Sequence, residues 1–258
     1  MTNSLNRTSV ERLVSTILVG ILIALVVWGI SLIKEYEHRL TELETNFKNC
    51  VDCSKKVQEI GGVKVNTYTG TSINEKTGEI DLEVNIDILS EQCRWECGSA
   101  RNILQGGKPI NFDEVMKEYV SNDQILNIKG LICVGAASSE GAITNEENRA
   151  NDRMEYLINL VKNYITNDTI PIYGLNIGKF LENRVSKCSD QTIDQRRIII
   201  FKIIKKDENM TEAILERKLR RILLEKSSNT DLNFPIDIRK YSKFKNNETM
   251  LTVGRNLN

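Results

Sequence analysis

The longest unbroken run of apolar positions lies near the N-terminus. Leu13 to Ile33 reads LVSTILVGILIALVVWGISLI and carries no charged side chain. At about 1.5 Å per residue such a helix spans roughly 30 Å, the thickness of a bilayer's hydrocarbon core. Trp28 falls near one end, where indoles favour the interface. The run predicts a single transmembrane helix. A cleaved signal peptide would have a shorter apolar stretch and a small-residue cleavage site, and this run has neither. Beyond it, Ile33, Tyr36, Leu40, Leu43, Phe47 and Cys50 alternate spacings of three and four, a heptad seam with charged residues on the other faces. Residues 1–12 are therefore read as a short N-terminal segment, 13–33 as the anchor and 34–60 as a helical stalk. Thr16, Gly20 and Ala24 recur at every fourth position, which lets two such helices approach closely. Anchor and stalk together predict a homodimer.

After Gly61-Gly62 the pattern changes period. Val63–Thr69 and Glu79–Leu89 read as strands, and Asp81 to Ile88 alternates polar and apolar strictly, the pattern of a half-buried strand. Phe112–Val120 reads as a helix with Asn111 as its N-cap. Ile125–Val134 reads as a strand. Asn145–Tyr164 reads as a helix with one apolar stripe through Met154, Leu157, Ile158, Leu160, Val161 and Ile165. Ile170–Ile177 and Ile198–Ile204 complete the set as strands. The order from Glu79 is β-α-β-α-β-β, so residues 61–205 are expected to form an α+β, two-layer sandwich. Residues 206–258 add an amphipathic helix, Asn209–Lys226, that packs on the domain. A polar tail is expected to extend loosely after it, with a small cationic patch at Arg239, Lys240, Lys243 and Lys245.

Charge and composition narrow the function. The chain has 258 residues with 35 basic and 35 acidic side chains, which disfavours nucleic acid as a partner. The lone histidine, His38, lies in the stalk, removing most Ser–His and Cys–His nucleophile arrangements. No Gly-x-x-x-x-Gly-Lys-Ser/Thr loop is present, and Gln105-Gly106-Gly107-Lys108-Pro109 reads as a simple turn. The sequence thus predicts neither an enzyme nor a cofactor. The span holds no Asp or Glu, so it has no proton-relay carboxylate. Arg7 and Arg12 before the span nearly balance Lys34 and Arg39 after it, so flanking charges hardly fix its direction. Six cysteines follow the anchor: Cys50, Cys53, Cys93, Cys97, Cys133 and Cys188. In an exported domain an even count predicts disulfides, with Cys133 either a partner of Cys188 or a buried free thiol. In the cytosol, Cys50-x-x-Cys53 with Cys93-x-x-x-Cys97 matches four thiolates around one zinc ion. Free thiols are the third reading, and Cys50-x-x-Cys53 as a redox pair is a fourth.

The segment Gly135-Ala136-Ala137-Ser138-Ser139-Glu140-Gly141, followed by Asn145-Glu146-Glu147-Asn148-Arg149-Ala150-Asn151-Asp152-Arg153, resembles the core motif of OmpA/MotB-type C-terminal domains. There a strand ends in Gly-x-Thr-Asp-x-x-Gly and a helix opens with Asn-x-x-Leu-Ser-x-x-Arg. Asp194-Gln195-Arg196-Arg197-Ile198 resembles the family's Asn-Arg-Arg opening of the last strand. The resemblance implies a periplasmic, peptidoglycan-associating domain on a single-pass protein of the bacterial inner membrane. It implies ligand contact through Arg153, with Asn145, Ser138 and Glu140 beside it. Gly135, Gly141, Arg196 and Arg197 would be structural. Ser138 stands where the family has its ligand-binding Asp, leaving Glu140 as the loop's carboxylate. Counting back from Arg153, the family's Asn falls on Glu146, so Asn145 matches only with a one-residue slip. The layout of anchor, stalk and domain is also that of MotB-like motor subunits. The alternative implied is therefore a non-conducting or atypical MotB-like subunit of a membrane motor or phage-defence complex, beside a MotA-like membrane partner.

Overall fold

The computed structural model describes residues 20, 26–37, 55–90, 92–121, 127–140, 143–165, 169–182 and 190–254. The chain divides into two units, Met1–Cys53 and Ser54–Asn258. In the first, residues 26–37 are helical (α1). Val26, Val27, Trp28, Ile30 and Ile33 are all half or more exposed on it. No helix among the described residues is long and apolar enough to cross a membrane. Most of the anchor expected at Leu13–Ile33, and most of the stalk, lie outside the described residues.

The second unit is a mixed α/β domain around a seven-stranded sheet. In chain order its elements are β1 (Lys55–Ile60), β2 (Val63–Ile73), β3 (Ile80–Leu89), β4 (Cys93–Trp95), β5 (Ile103–Gln105), β6 (Lys108–Pro109), α2 (Phe112–Ser121), β7 (Gly130–Ala137), α3 (Ile143–Tyr164), β8 (Ile172–Lys179), β9 (Ile199–Lys206), α4 (Glu212–Ser228), α5 (Ser242–Lys245) and β10 (Leu251–Val253). The sheet order is β1-β2-β3-β9-β7-β8-β10, and β4-β5-β6 form a separate small sheet. Among the described strands only β7 and β8 run parallel; a parallel neighbour needs a long crossover, and α3 supplies it. The short strands β4, β5 and β6, which were not expected, are inserted between β3 and α2; apart from them the predicted order of strand, helix, strand, helix, strand, strand is present as β3, α2, β7, α3, β8 and β9, so the α+β class holds.

Three expectations are corrected. The stalk was expected to continue to residue 60, but Lys55–Ile60 is a strand paired antiparallel with β2. Gly61 and Gly62 form the two-residue turn between them, with φ of 56° and 73°, a conformation glycine adopts without steric cost. The sandwich has three layers, not two. Side chains of alternating parity on each central strand feed two separate cores. Val65, Leu89, Leu131 and Ile200 face α2 and α3, whereas Ile86, Val134 and Phe201 face α4. Leu215, Leu219, Ile222 and Leu223 of α4 are buried there, each contributing roughly 1.5–3 kcal/mol. At Gly70 of β2 a Cβ would lie 2.3 Å from Ile222, so the glycine sets how closely α4 approaches the sheet. Finally, the tail does not extend loosely. Ile236, Ile238, Tyr241, Met250 and Leu251 are buried in the second core, and Leu232 is buried as well. The Glu216 carboxylate accepts from the backbone N–H of Met250 (3.1 Å) and Leu251 (3.2 Å), tying β10 to α4.

The strict alternation of β3 also has a different cause from the one expected. Its last polar position, Asp87, faces the α2 core, while Glu83 and Asn85 are half-buried and Asp81 pairs with Lys218 of α4. Asp87 is fully buried and accepts from Thr67 Oγ1 (2.6 Å) and Tyr119 Oη (2.6 Å), and pairs with Lys202 Nζ (2.8 Å). These four side chains come from β2, β3, α2 and β9. Removing one member of a buried ion pair strands the other charge. Lys202→Met is therefore expected to lower unfolding free energy by about 3–5 kcal/mol, measured by urea denaturation. The double variant Asp87→Leu with Lys202→Met should lose clearly less. Equal losses would contradict the coupling.

Candidate functional site

The site predicted from the sequence gathers where β7 ends and α3 packs across the sheet. α3 comes very close to β7 because Gly135 has no side chain. A Cβ there would sit 2.0 Å from the Ala150 carbonyl oxygen and 2.7 Å from Met154 Cβ. Arg153 lies three residues after Ala150, on the same face of the helix. That places its guanidinium beside the end of β7, where Nη1 donates to the Ala136 carbonyl at 2.8 Å.

Arg153 is 0% exposed. Its Nε donates to the Ser99 carbonyl (3.0 Å), its guanidinium carbon lies 5.3 Å from the centre of the Trp95 ring, and its Nη2 has no hydrogen-bond partner. Burial, reinforced by the neighbouring Arg149 and Arg196 charges, pulls its pKa down to about 9, while Glu146 and Glu140 pull the other way. The side chain therefore stays cationic at neutral pH.

Ser138 and Glu140 are buried at the head of this region. Glu140 accepts from Ser138 Oγ (3.1 Å) and from Thr192 Oγ1. Ser139 N–H donates to Gln195 Oε1 at 2.8 Å, linking the loop to the 3-10 turn Asp190–Arg196. The structure thus brings Arg153, Ser138 and Glu140 into one region. It does not bring Asn145, which is exposed on the first turn of α3. Glu146, one residue on, turns inward instead: it is buried, pairs with Arg149, and leaves Oε2 without a partner. The one-residue slip was already visible in the spacing to Arg153. Gly141 lies outside the described residues.

Arg196 donates to the Thr192 and Trp95 carbonyls, both at 3.4 Å, and so clamps β4 to the 3-10 turn. The Arg197 side chain pairs with Asp194 and borders a polar cavity of about 330 Å³ together with Glu59, Lys64 and Asn66, while its backbone forms an isolated antiparallel bridge with that of Arg94. Sequence reasoning missed the piece that covers Arg153, residues 95–102. Its runs of apolar residues are too short to carry a period. A large aromatic residue at Trp95, followed by the turn-forming pair Gly98-Ser99, was the available signal, and the structure buries Trp95 fully.

Of the cysteines expected in disulfides, Cys97 is disulfide-bonded. Cys93 corrects that expectation, because it is a buried free thiol, and of the two readings of Cys133 the buried free thiol holds. Each sits inside the α2-side core. Cys50, Cys53 and Cys188 lie outside the described residues. No group of three or more metal-binding side chains occurs among the described residues.

Burial pushes the Cys93 and Cys133 thiols up to about 12. The folded chain then keeps both protons where the unfolded chain, with ordinary thiols near 8.5, gives them up. Stability is therefore present in full below about pH 8.5 and falls as pH rises toward 12. Iodoacetamide at about pH 8 is expected to leave both residues unmodified in the native protein and to alkylate both in urea. Modification of either in the native state would contradict their burial.

No family model matches the chain, and no curated protein or solved structure matches it significantly, so its function is read from its own residues.

Proposed function

We propose that this chain is a single-pass protein of the bacterial inner membrane that holds an OmpA-like domain in the periplasm, where it associates with peptidoglycan and tethers the envelope. The observation that carries the reading is Arg153: a buried cation at the end of β7, with Ser138 and Glu140 beside it and one N–H group left unpaired. A peptide stem that ends in adjacent ammonium and carboxylate groups needs a cation and an anion a few ångströms apart. Arg153 supplies the cation. Glu140 and Glu146 supply the carboxylate that Ser138 lacks.

Two further features support it. The core elements β3, α2, β7, α3, β8 and β9 follow the order that the sequence resemblance implies. In the first unit, Val26 to Ile33 presents apolar side chains to the outside of a helix, which lipid would cover. The absence of a carboxylate between Leu13 and Ile33 favours tethering over ion-driven motor work. Homodimerisation through the anchor and stalk belongs to the same proposal.

Muropeptide pull-down from detergent-solubilised membranes tests it, run in parallel with and without a dithiol. The wild type is expected to be retained in at least one condition. Arg153→Ala should lose roughly tenfold or more of that retention, the worth of a charge-assisted hydrogen bond. Circular dichroism would verify that the variant folds. Equal retention of both proteins, or none by either, would refute cell-wall binding through Arg153.

A further inference from the structure

We propose that the polar cavity bordered by the β1–β2 hairpin, β5 and Arg197 is a binding site for a sugar ring that carries one carboxylate. The inference goes beyond the reading of Arg153, and the cavity's lining does not include that residue.

The register of the first hairpin sets the position of the cavity. Glu59 of β1 pairs with Lys64 of β2, so both side chains rise on one face of the sheet, and Asn66 follows Lys64 on that face. Val63 and Val65, the alternate positions, are buried in the α2-side core. Three further segments complete the walls. Ser90, after β3, is held beside β2 by its N–H, which donates to the Lys64 carbonyl at 2.8 Å. Gln105 of β5 donates through Nε2 to the Gly62 carbonyl at 2.8 Å, which fixes its amide and leaves Oε1 to accept. Arg197, ahead of β9, is buried and held by Asp194. Most of these groups sit on strands or are tied to them, so the site is in place before a ligand arrives.

The lining selects the ligand. Among the described residues no apolar side chain borders the cavity, so an apolar ligand would gain little by entering. The side chains of Glu59, Lys64, Asn66 and Ser90 have no hydrogen-bond or ion-pair partner among the described residues. Amides and a hydroxyl both donate and accept, as sugar hydroxyls do. Lys64 and Arg197 bring two cations against the single carboxylate of Glu59. One negative charge on the ligand balances that set. A second, as on a phosphate ester, would be set against Glu59. Lys64 supplies a movable point charge, and Arg197 a planar fork already oriented by Asp194. The volume of about 330 Å³ lies at the low end of ligand sites and suits one ring at a time. Two sources offer such a ring: wall glycan stripped of its peptides, through its lactyl ether, and polysaccharides of uronic acids.

The experiment is saturation-transfer NMR on the full chain in a detergent without sugar head groups. The probes are N-acetylmuramic acid, glucuronic acid, N-acetylglucosamine and glucose 6-phosphate. At least one of the two acids should receive saturation, and N-acetylglucosamine should bind roughly tenfold or more weakly, since it lacks the charge-assisted bonds. A response to N-acetylmuramic acid alone identifies peptide-free wall glycan, one to glucuronic acid alone a uronic-acid polymer, and one to both the shared chemistry. Lys64→Gln, a change at an exposed position, should weaken the acid by roughly tenfold. Unalkylated Cys133 in that variant reports an intact fold. No response to either acid would overturn the site. So would equal responses to the acids and N-acetylglucosamine, tighter binding of glucose 6-phosphate, or an unchanged affinity in Lys64→Gln. None of the probes carries a peptide, so the result stands or falls separately from cell-wall binding through Arg153.

Discussion

A guanidinium buried at 0% exposure constrains everything around it. Taking such a charge out of water costs several kcal/mol unless oxygen acceptors replace the lost hydration. Here the acceptors are main-chain carbonyls from two distant parts of the chain, Ala136 at the end of β7 and Ser99 in the loop after β4. Neither can be supplied without positioning β7, α3 and the small sheet together. Gly135 is part of the same constraint, since α3 could not lie close enough to β7 for Arg153 to reach Ala136 if a Cβ stood there. Arg196 repeats the device one layer out, donating to the Trp95 carbonyl and so fixing the ring that lies against Arg153.

The domain carries a second buried charge on the same side of the sheet, and it is handled differently. Asp87 and Lys202 neutralise each other and are completed by two hydroxyls. That cluster is closed, with each Asp87 oxygen occupied. The Arg153 region is left open, with Nη2 of Arg153 and Oε2 of Glu146 both without partners. A closed polar cluster specifies packing, whereas an incomplete one is where a buried polar region has capacity left for something else. The contrast within one domain is why the functional reading is placed at Arg153 and not at Asp87.

Much of this was legible in the sequence because strong periods carry burial. Five core elements were read within two residues of their observed bounds, since Asp81–Ile88 alternates and α3 shows a long apolar stripe, whereas the strand expected at Ile125–Val134 is β7, Gly130–Ala137. What the pattern did not reveal was where each polar position points. Asp87 alternates like a solvent-facing residue, yet its charge is satisfied by Lys202, which is distant in sequence. The C-terminal tail was misjudged for a related reason. Its buried residues are scattered singly among polar ones, and the bonds that hold β10 run to Glu216, a side chain that looks like an ordinary surface charge on α4. At the site, Arg153 and Glu140 were legible by resemblance, and so was the misfit of Asn145. The cover was not, because it depends on a carbonyl and an indole that no motif marks.

The central claim, that Arg153 is a charged and enclosed guanidinium held by the Ser99 and Ala136 carbonyls, is tested most directly by NMR of the arginine side chains. In oxidised, nitrogen-labelled protein, one Nε–H signal should exchange slowly with solvent and be displaced upfield by the Trp95 ring, and it should vanish in Arg153→Lys. Rapid exchange of every arginine Nε–H, or an Arg153 signal unaffected by replacing Trp95 with Leu, would contradict the account.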